Sequence, residues 1–163
     1  DSSALFTRDN DNILVIRSFS KFYGLAGLRL GYMITPERFI QDFDSTIGPI
    51  EVAGISILAA TEVLDDVEYH FRTQSRVKQN LALLENAVGN SPYKLVPGSE
   101  CFATYLWAES HVEDPSAALQ RYGIRILEGP NFGIERGGRV NLSSTDNITR
   151  LVEVINNKEI IDR

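Results

Sequence analysis

Ser18-Phe19-Ser20-Lys21-Phe22-Tyr23-Gly24-Leu25-Ala26-Gly27-Leu28-Arg29-Leu30-Gly31-Tyr32 stands just after the apolar run Ile13-Leu14-Val15-Ile16. A short apolar run bounded by turn residues predicts a buried strand. Lys21 is thereby placed just past a strand end, where open α/β sheets carry their ligands. Two hydroxyls, Ser18 and Ser20, precede the lysine, and Arg29 follows it. One amine, two hydroxyls and a guanidinium, hinged on Gly24, Gly27 and Gly31, suit an aldehyde that carries a phosphate. Pyridoxal 5'-phosphate held on a lysine as a Schiff base has that chemistry.

Each residue type has a physical reason to be there. A lysine amine becomes nucleophilic when desolvation and nearby cationic charge lower its pKa, and a buried strand end beside Arg29 would be the expected source of both. Hydroxyls and turn N–H groups donate to phosphate oxygens, while arginine offers a planar, permanently charged fork. Arg29 is expected within the second strand, pointing inward toward an anion. The ordinary alternatives are a solvated loop lysine and an arginine paired with a carboxylate.

Ser-Phe-Ser-Lys followed by Gly-Leu-Ala-Gly-Leu-Arg-x-Gly-Tyr resembles the cofactor-lysine signature of class I/II aminotransferases, nearest to the histidinol-phosphate aminotransferase-like branch of fold type I. Gly123-Ile124-Arg125-Ile126, Asn131-Phe132-Gly133 and Arg139-Val140-Asn141-Leu142 continue that resemblance in the family's order, so it covers nearly the whole chain. It implies an α/β protein of fold type I: the end of the large sheet domain, then a small α+β C-terminal domain. It also implies cofactor-binding Ser18, Ser20, Lys21 and Arg29, with Lys21 catalytic, and a substrate-carboxylate arginine at Arg139. Arg136 competes for that last role, but Val140-Asn141-Leu142 continues the expected strand and favours Arg139. Family members are about twice this long, and an acidic partner for the pyridine nitrogen belongs upstream of the lysine. The chain is accordingly expected to be a C-terminal half, inactive in isolation. A homodimer acting on an amino acid and a 2-oxo acid is implied for the full-length protein.

Composition narrows the field from another side. A 163-residue chain is long enough to bury a sizeable core. The net charge of −6 argues against nucleic acid or an anionic membrane as the main partner. The single cysteine, Cys101, rules out a disulfide within the chain and any CxxC metal site, and is expected to be a small buried residue. His70 and His111 lack metal-ligand spacing, so no metal is expected. No apolar stretch is long enough to span a bilayer, which makes a cytoplasmic protein the default expectation.

Residues 1–11 are polar and aperiodic, as in a loop. Strands are expected at about 12–17 and from Leu28 to Ile34. Thr35-Pro36-Glu37 has the hydroxyl, proline and acid of a helix start running to about Asp44. Gly48-Pro49 breaks the chain. Val52 to Leu64 reads as a largely buried helix, and Val67 to Val88 as a long amphipathic one. Strands at 93–96, 101–107, 124–127 and 139–142 alternate with a short helix from Pro115 to Tyr122, and a last helix runs from about Asp146 to Ile161. Tyr122 and Trp107 look like core. The domain boundary is expected near residue 70, separating 1–70, the end of a cofactor-binding domain, from 71–163, a small domain.

Two rival functions remain open at this stage. One is a pyridoxal-phosphate-dependent decarboxylase of a phosphorylated amino acid, an activity known in the same branch. The other is a non-catalytic truncated module. Glutamate at Glu51, where the family often has Asn before valine, weakens any exact substrate assignment.

Overall fold

The computed structural model describes residues 12–47, 51–97 and 102–157. The polar stretch 1–11, the Gly48-Pro49 break and Cys101 lie outside them, and the last helix closes at Ile155 with Asn156 as its C-cap, short of the expected Ile161. The chain separates into two compact units, Asp1–Tyr69 and His70–Arg163.

The first unit is built on a two-stranded antiparallel hairpin. Strand β1 (Val15–Ser18) pairs with β2 (Gly31–Ile34), with Val15 opposite Ile34 and Ser18 opposite Gly31. Gly31 is required where it stands, because a Cβ there would lie 2.7 Å from the Arg17 carbonyl oxygen. The expected second strand does not begin at Leu28. Ala26–Leu28 forms a 3-10 turn, and Arg29 has φ 49°, in the left-handed region. The reason is local: the Leu28 N–H bonds the Leu25 carbonyl and the Leu28 carbonyl accepts from Ser56, leaving neither for a ladder.

Helix α1 (Glu37–Ile47) follows β2 and runs one turn beyond its expected end. Thr35 does not cap it, since its buried hydroxyl has no hydrogen-bond partner. Helix α2 (Gly54–Asp65) lies where expected, but its burial does not match. Only Ser56 and Ala60 are buried, while Ile55 is 65% and Leu58 66% exposed. Strand β1 differs in the same way, with Ile16 73% exposed. A hairpin supplies one ladder and one narrow contact for a helix, so apolar side chains on the remaining faces stay in solvent.

Helix α3 (Val67–Val88) begins in the first unit and leads into the second. The second unit carries a four-stranded antiparallel sheet in the order β3 (Lys94–Leu95), β4 (Ala103–Trp107), β6 (Gly137–Asn141), β5 (Leu127–Glu128). Strands β4 and β6 pair at its centre, Ala103 against Asn141 and Trp107 against Gly137. Alternation along these strands turns Leu106 and Val140 to the core, where Leu142 joins them. There they meet Val77, Leu84 and Val88 of α3, and Ile148, Leu151 and Ile155 of helix α5 (Thr145–Ile155). Trp107 is not core: it is half-buried, beneath the Lys94 ammonium 5.3 Å from its ring. Tyr122 is exposed as well.

Short helix α4 (Pro115–Gln120) is held by Asp114, whose carboxylate accepts from Ser116 N and Ala117 N. Its second oxygen accepts from Gly137 N at 2.9 Å, and Ser116 Oγ donates to the Gly137 carbonyl at 2.7 Å. One carboxylate thus joins a helix start to the head of β6. Asp114→Ala is expected to lower the unfolding free energy by about 0.5–2 kcal/mol, the range for a lost N-cap. An unchanged urea midpoint for this variant would show that the cap adds nothing.

Candidate functional site

Phe19 is the pivot of the lysine segment. It is 4% exposed, packed against the Tyr23 ring (centroids 5.0 Å apart) and the Tyr32 ring (5.7 Å). Its N–H donates to the Leu30 carbonyl, extending the hairpin by one bond, and its carbonyl accepts from Leu25 N. Burial of Phe19 leaves Ser18 and Lys21 exposed and Ser20 half-buried. Ser18 Oγ accepts from Ser20 N at 3.0 Å, which folds the two hydroxyl residues into one tight turn. The turn continues through Lys21, whose carbonyl accepts from Gly24 N, with Gly24 at φ 70°.

At the far end of this loop Arg29 is exposed rather than inward-facing, and its Nη1 donates to the Ala26 carbonyl at 3.0 Å. The inward orientation expected from a strand fails because the left-handed backbone swings the side chain out. Among the described residues, neither Lys21 nor Arg29 forms an ion pair with a carboxylate. One loop therefore presents an amine, a guanidinium and serine hydroxyls with no carboxylate paired to either charge among the described residues. A phosphate-bearing aldehyde fits that donor set: the aldehyde has an amine to meet, and the phosphate has hydroxyl and guanidinium donors.

Two helices hold the loop by its backbone. Ser56 of α2 donates to the Leu28 carbonyl at 3.0 Å, and Tyr69 of α3 donates to the Phe22 carbonyl at 2.8 Å. Neither residue stands out in the sequence. Ser56 looks like one more small residue of an apolar helix, and Tyr69 sits in a polar stretch with no motif around it.

Burial raises the pKa of Tyr23 above its ordinary value, with a smaller contribution from Tyr32. The folded chain thus favours the protonated phenol. Its stabilising contribution is complete below about pH 10 and fades as the pH rises through the folded pKa. Spectrophotometric titration is expected to lose a late-ionising phenol in Tyr23→Phe. An unchanged alkaline limb would remove the assignment.

In the second unit Arg139 lies on β6 opposite Tyr105 of β4 and Leu127 of β5. It alternates with the buried Val140, so its side chain emerges on the sheet face away from the core. Its guanidinium lies over the Phe132 ring at 5.3 Å, and that ring packs on Tyr105 at 5.4 Å. Its Nε is buried without a hydrogen-bond partner. Arg136, the competing candidate, donates from Nη2 to the Val112 carbonyl and is tied into its own loop. Arg139 also lines a cavity of about 370 Å³ together with Arg125, Asn141 and Arg150. His111 is exposed beside Glu109 at 3.7 Å. Among the described residues no group of three His, Cys, Asp or Glu side chains is arranged to hold a metal ion, and no helix is long and apolar enough to cross a membrane.

The class follows from the sequence match: the chain belongs to the class I and II aminotransferase family, whose family model matches residues 2–155. The chain is 30% identical to a histidinol-phosphate aminotransferase of Symbiobacterium thermophilum, over 95% of its own length and 42% of that protein. It superposes on the histidinol-phosphate aminotransferase of Sinorhizobium meliloti, a structure in complex with pyridoxal-5'-phosphate, with a TM-score of 0.76 at 22% identity, covering 98% of this chain and 44% of that one. A decarboxylase from Sulfurospirillum multivorans shares the fold, with a TM-score of 0.80 at 22% identity over 99% of this chain and 47% of its own. The chain spans less than half the length of these relatives. The mixed α/β fold expected from the lysine segment is therefore borne out.

Proposed function

We propose that this chain is the cofactor-lysine half of an aminotransferase that moves an amino group between an amino acid or amino-phosphate and a 2-oxo acid, using pyridoxal 5'-phosphate. The observation that carries this reading is the loop from Ser18 to Arg29. It exposes an amine and a guanidinium with no carboxylate partner among the described residues, on a backbone held at both ends. When bound, the cofactor supplies an aldehyde for amines and an electron sink for the substrate α-carbon.

The chain's own residues do the rest. Lys21 would hold the cofactor by its amine and would carry the proton that leaves the substrate α-carbon. Ser18, Ser20 and Arg29 donate to the phosphate. Arg139 binds the substrate carboxylate; its stacking on Phe132 limits the rotamers of the guanidinium before the substrate arrives. Residues 1–70 then form the end of the cofactor-binding domain and 71–163 the small domain, and family resemblance supports a cytoplasmic homodimer. The decarboxylase reading rests on fold likeness alone, so transamination is the reading adopted. Reduction with borohydride after addition of pyridoxal phosphate, followed by peptide mapping, tests it: the label is expected on Lys21. A label confined to other lysines would overturn it.

A further inference from the structure

We propose that Ser56 and Tyr69 are positioning residues that set the Lys21 amine and the Arg29 guanidinium for a common ligand by clamping the loop between them. This rests on the cofactor reading above. Phe22 directly follows Lys21, and Leu28 directly precedes Arg29. The two carbonyls held by helix hydroxyls are thus those one residue inside the two charged groups. Between the clamps the loop closes on itself, with Leu28 N bonded to the Leu25 carbonyl and Leu25 N to the Phe19 carbonyl.

The clamps rest on rigid supports. Ser56 is 3% exposed in α2, so its hydroxyl has little freedom to leave the Leu28 carbonyl for water. Tyr69 N donates to Asp66 Oδ1 at 2.8 Å, which seats the first turn of α3 beside the end of α2. The Tyr69 ring also meets Phe22 edge-on, with centroids 6.2 Å apart. Arg29 needs such a support more than most residues. A non-glycine residue at φ 49° persists only where its surroundings over-determine the backbone, and the Ser56 bond fixes the peptide entering it.

Conservative variants separate positioning from folding. Tyr69→Phe keeps the ring and loses the hydroxyl; Ser56→Ala loses one atom and raises helix propensity. Ser56→Thr keeps a donor and serves as the rescue. Two quantities are read on the 163-residue chain: amide exchange over residues 22–30 without cofactor, and the pyridoxal phosphate concentration that half-saturates borohydride labelling of Lys21. Losing both hydrogen bonds is expected to speed exchange at Gly24 and Leu28 and to raise that concentration, each by about tenfold. Single variants should show about a third of the effect on a logarithmic scale or more. Exchange around Leu84 and Leu106 in the second unit is expected to stay unchanged, and Ser56→Thr to keep wild-type labelling.

Unchanged loop exchange and labelling in the double variant, with wild-type Lys21 labelled, would overturn the clamp and leave the cofactor reading intact. Loss of protection around Leu84 and Leu106 as well would make the two hydroxyls general stabilisers and also overturn it. Absence of label on wild-type Lys21 would overturn the cofactor reading itself, and the positioning role with it.

Discussion

Lys21→Ala is expected to abolish the borohydride-stable pyridoxyl label on the lysine loop and to leave the second unit folded as before. The loop from Ser18 to Arg29 holds a single amine, and the only other nitrogen-based side chain in it is the guanidinium of Arg29, which does not replace an amine in Schiff-base chemistry. Lys21→Arg should therefore fail as fully as alanine, although it preserves the positive charge. In the active enzyme, loss of the proposed proton carrier is expected to reduce turnover by three or more orders of magnitude, as deletions of central catalytic groups do. Lys21 is exposed and sits outside the core cluster, so the thermal transition should barely move. A variant that retains transamination at more than about a tenth of the wild-type rate would remove Lys21 from the chemistry.

Arg139→Ala has the second largest expected effect, and it falls on substrate rather than cofactor. The arginine emerges on the open face of the sheet with an unpartnered Nε and a ring beneath it, and among the described residues no carboxylate occupies its fork. Removing one partner of a desolvated charge pair costs about 2–5 kcal/mol of binding. The cost should show as a raised KM with pyridoxal phosphate retention unchanged. Arg139→Lys should recover part of it, because a point charge attracts a carboxylate but does not grip both oxygens. Arg29→Ala should show the converse, with weaker cofactor retention. Should Arg139→Ala release cofactor while the KM stays constant, the two arginines have been assigned the wrong way round.

The lysine segment was legible because its spacing combines chemistry and turn residues that few other contexts need together. Long helix α3 and the helix starting at Ser144-Thr145-Asp146 were legible for a different reason: their apolar period meets a core within the same unit. Burial in the first unit was not. Ile16, Ile55 and Leu58 carry the side chains of buried positions, and a sequence pattern records what a residue prefers to contact, not whether the contact is present. Leu28 to Leu30 misled through its apolar side chains, because a left-handed residue between two leucines has no periodic signature. Ser56 and Tyr69 were invisible since their partners are backbone carbonyls, whose identity no sequence encodes.

Arg29 also bears on how this loop changes over generations. Its backbone conformation suits glycine, or asparagine, far better than a long branched cation. Selection for foldability alone would push the position toward glycine, which keeps the hairpin and relaxes the turn. That same substitution deletes the guanidinium. Under the proposed phosphate role the position carries opposing demands, and where that role is lost glycine is the expected replacement, a direction set in advance by the φ angle.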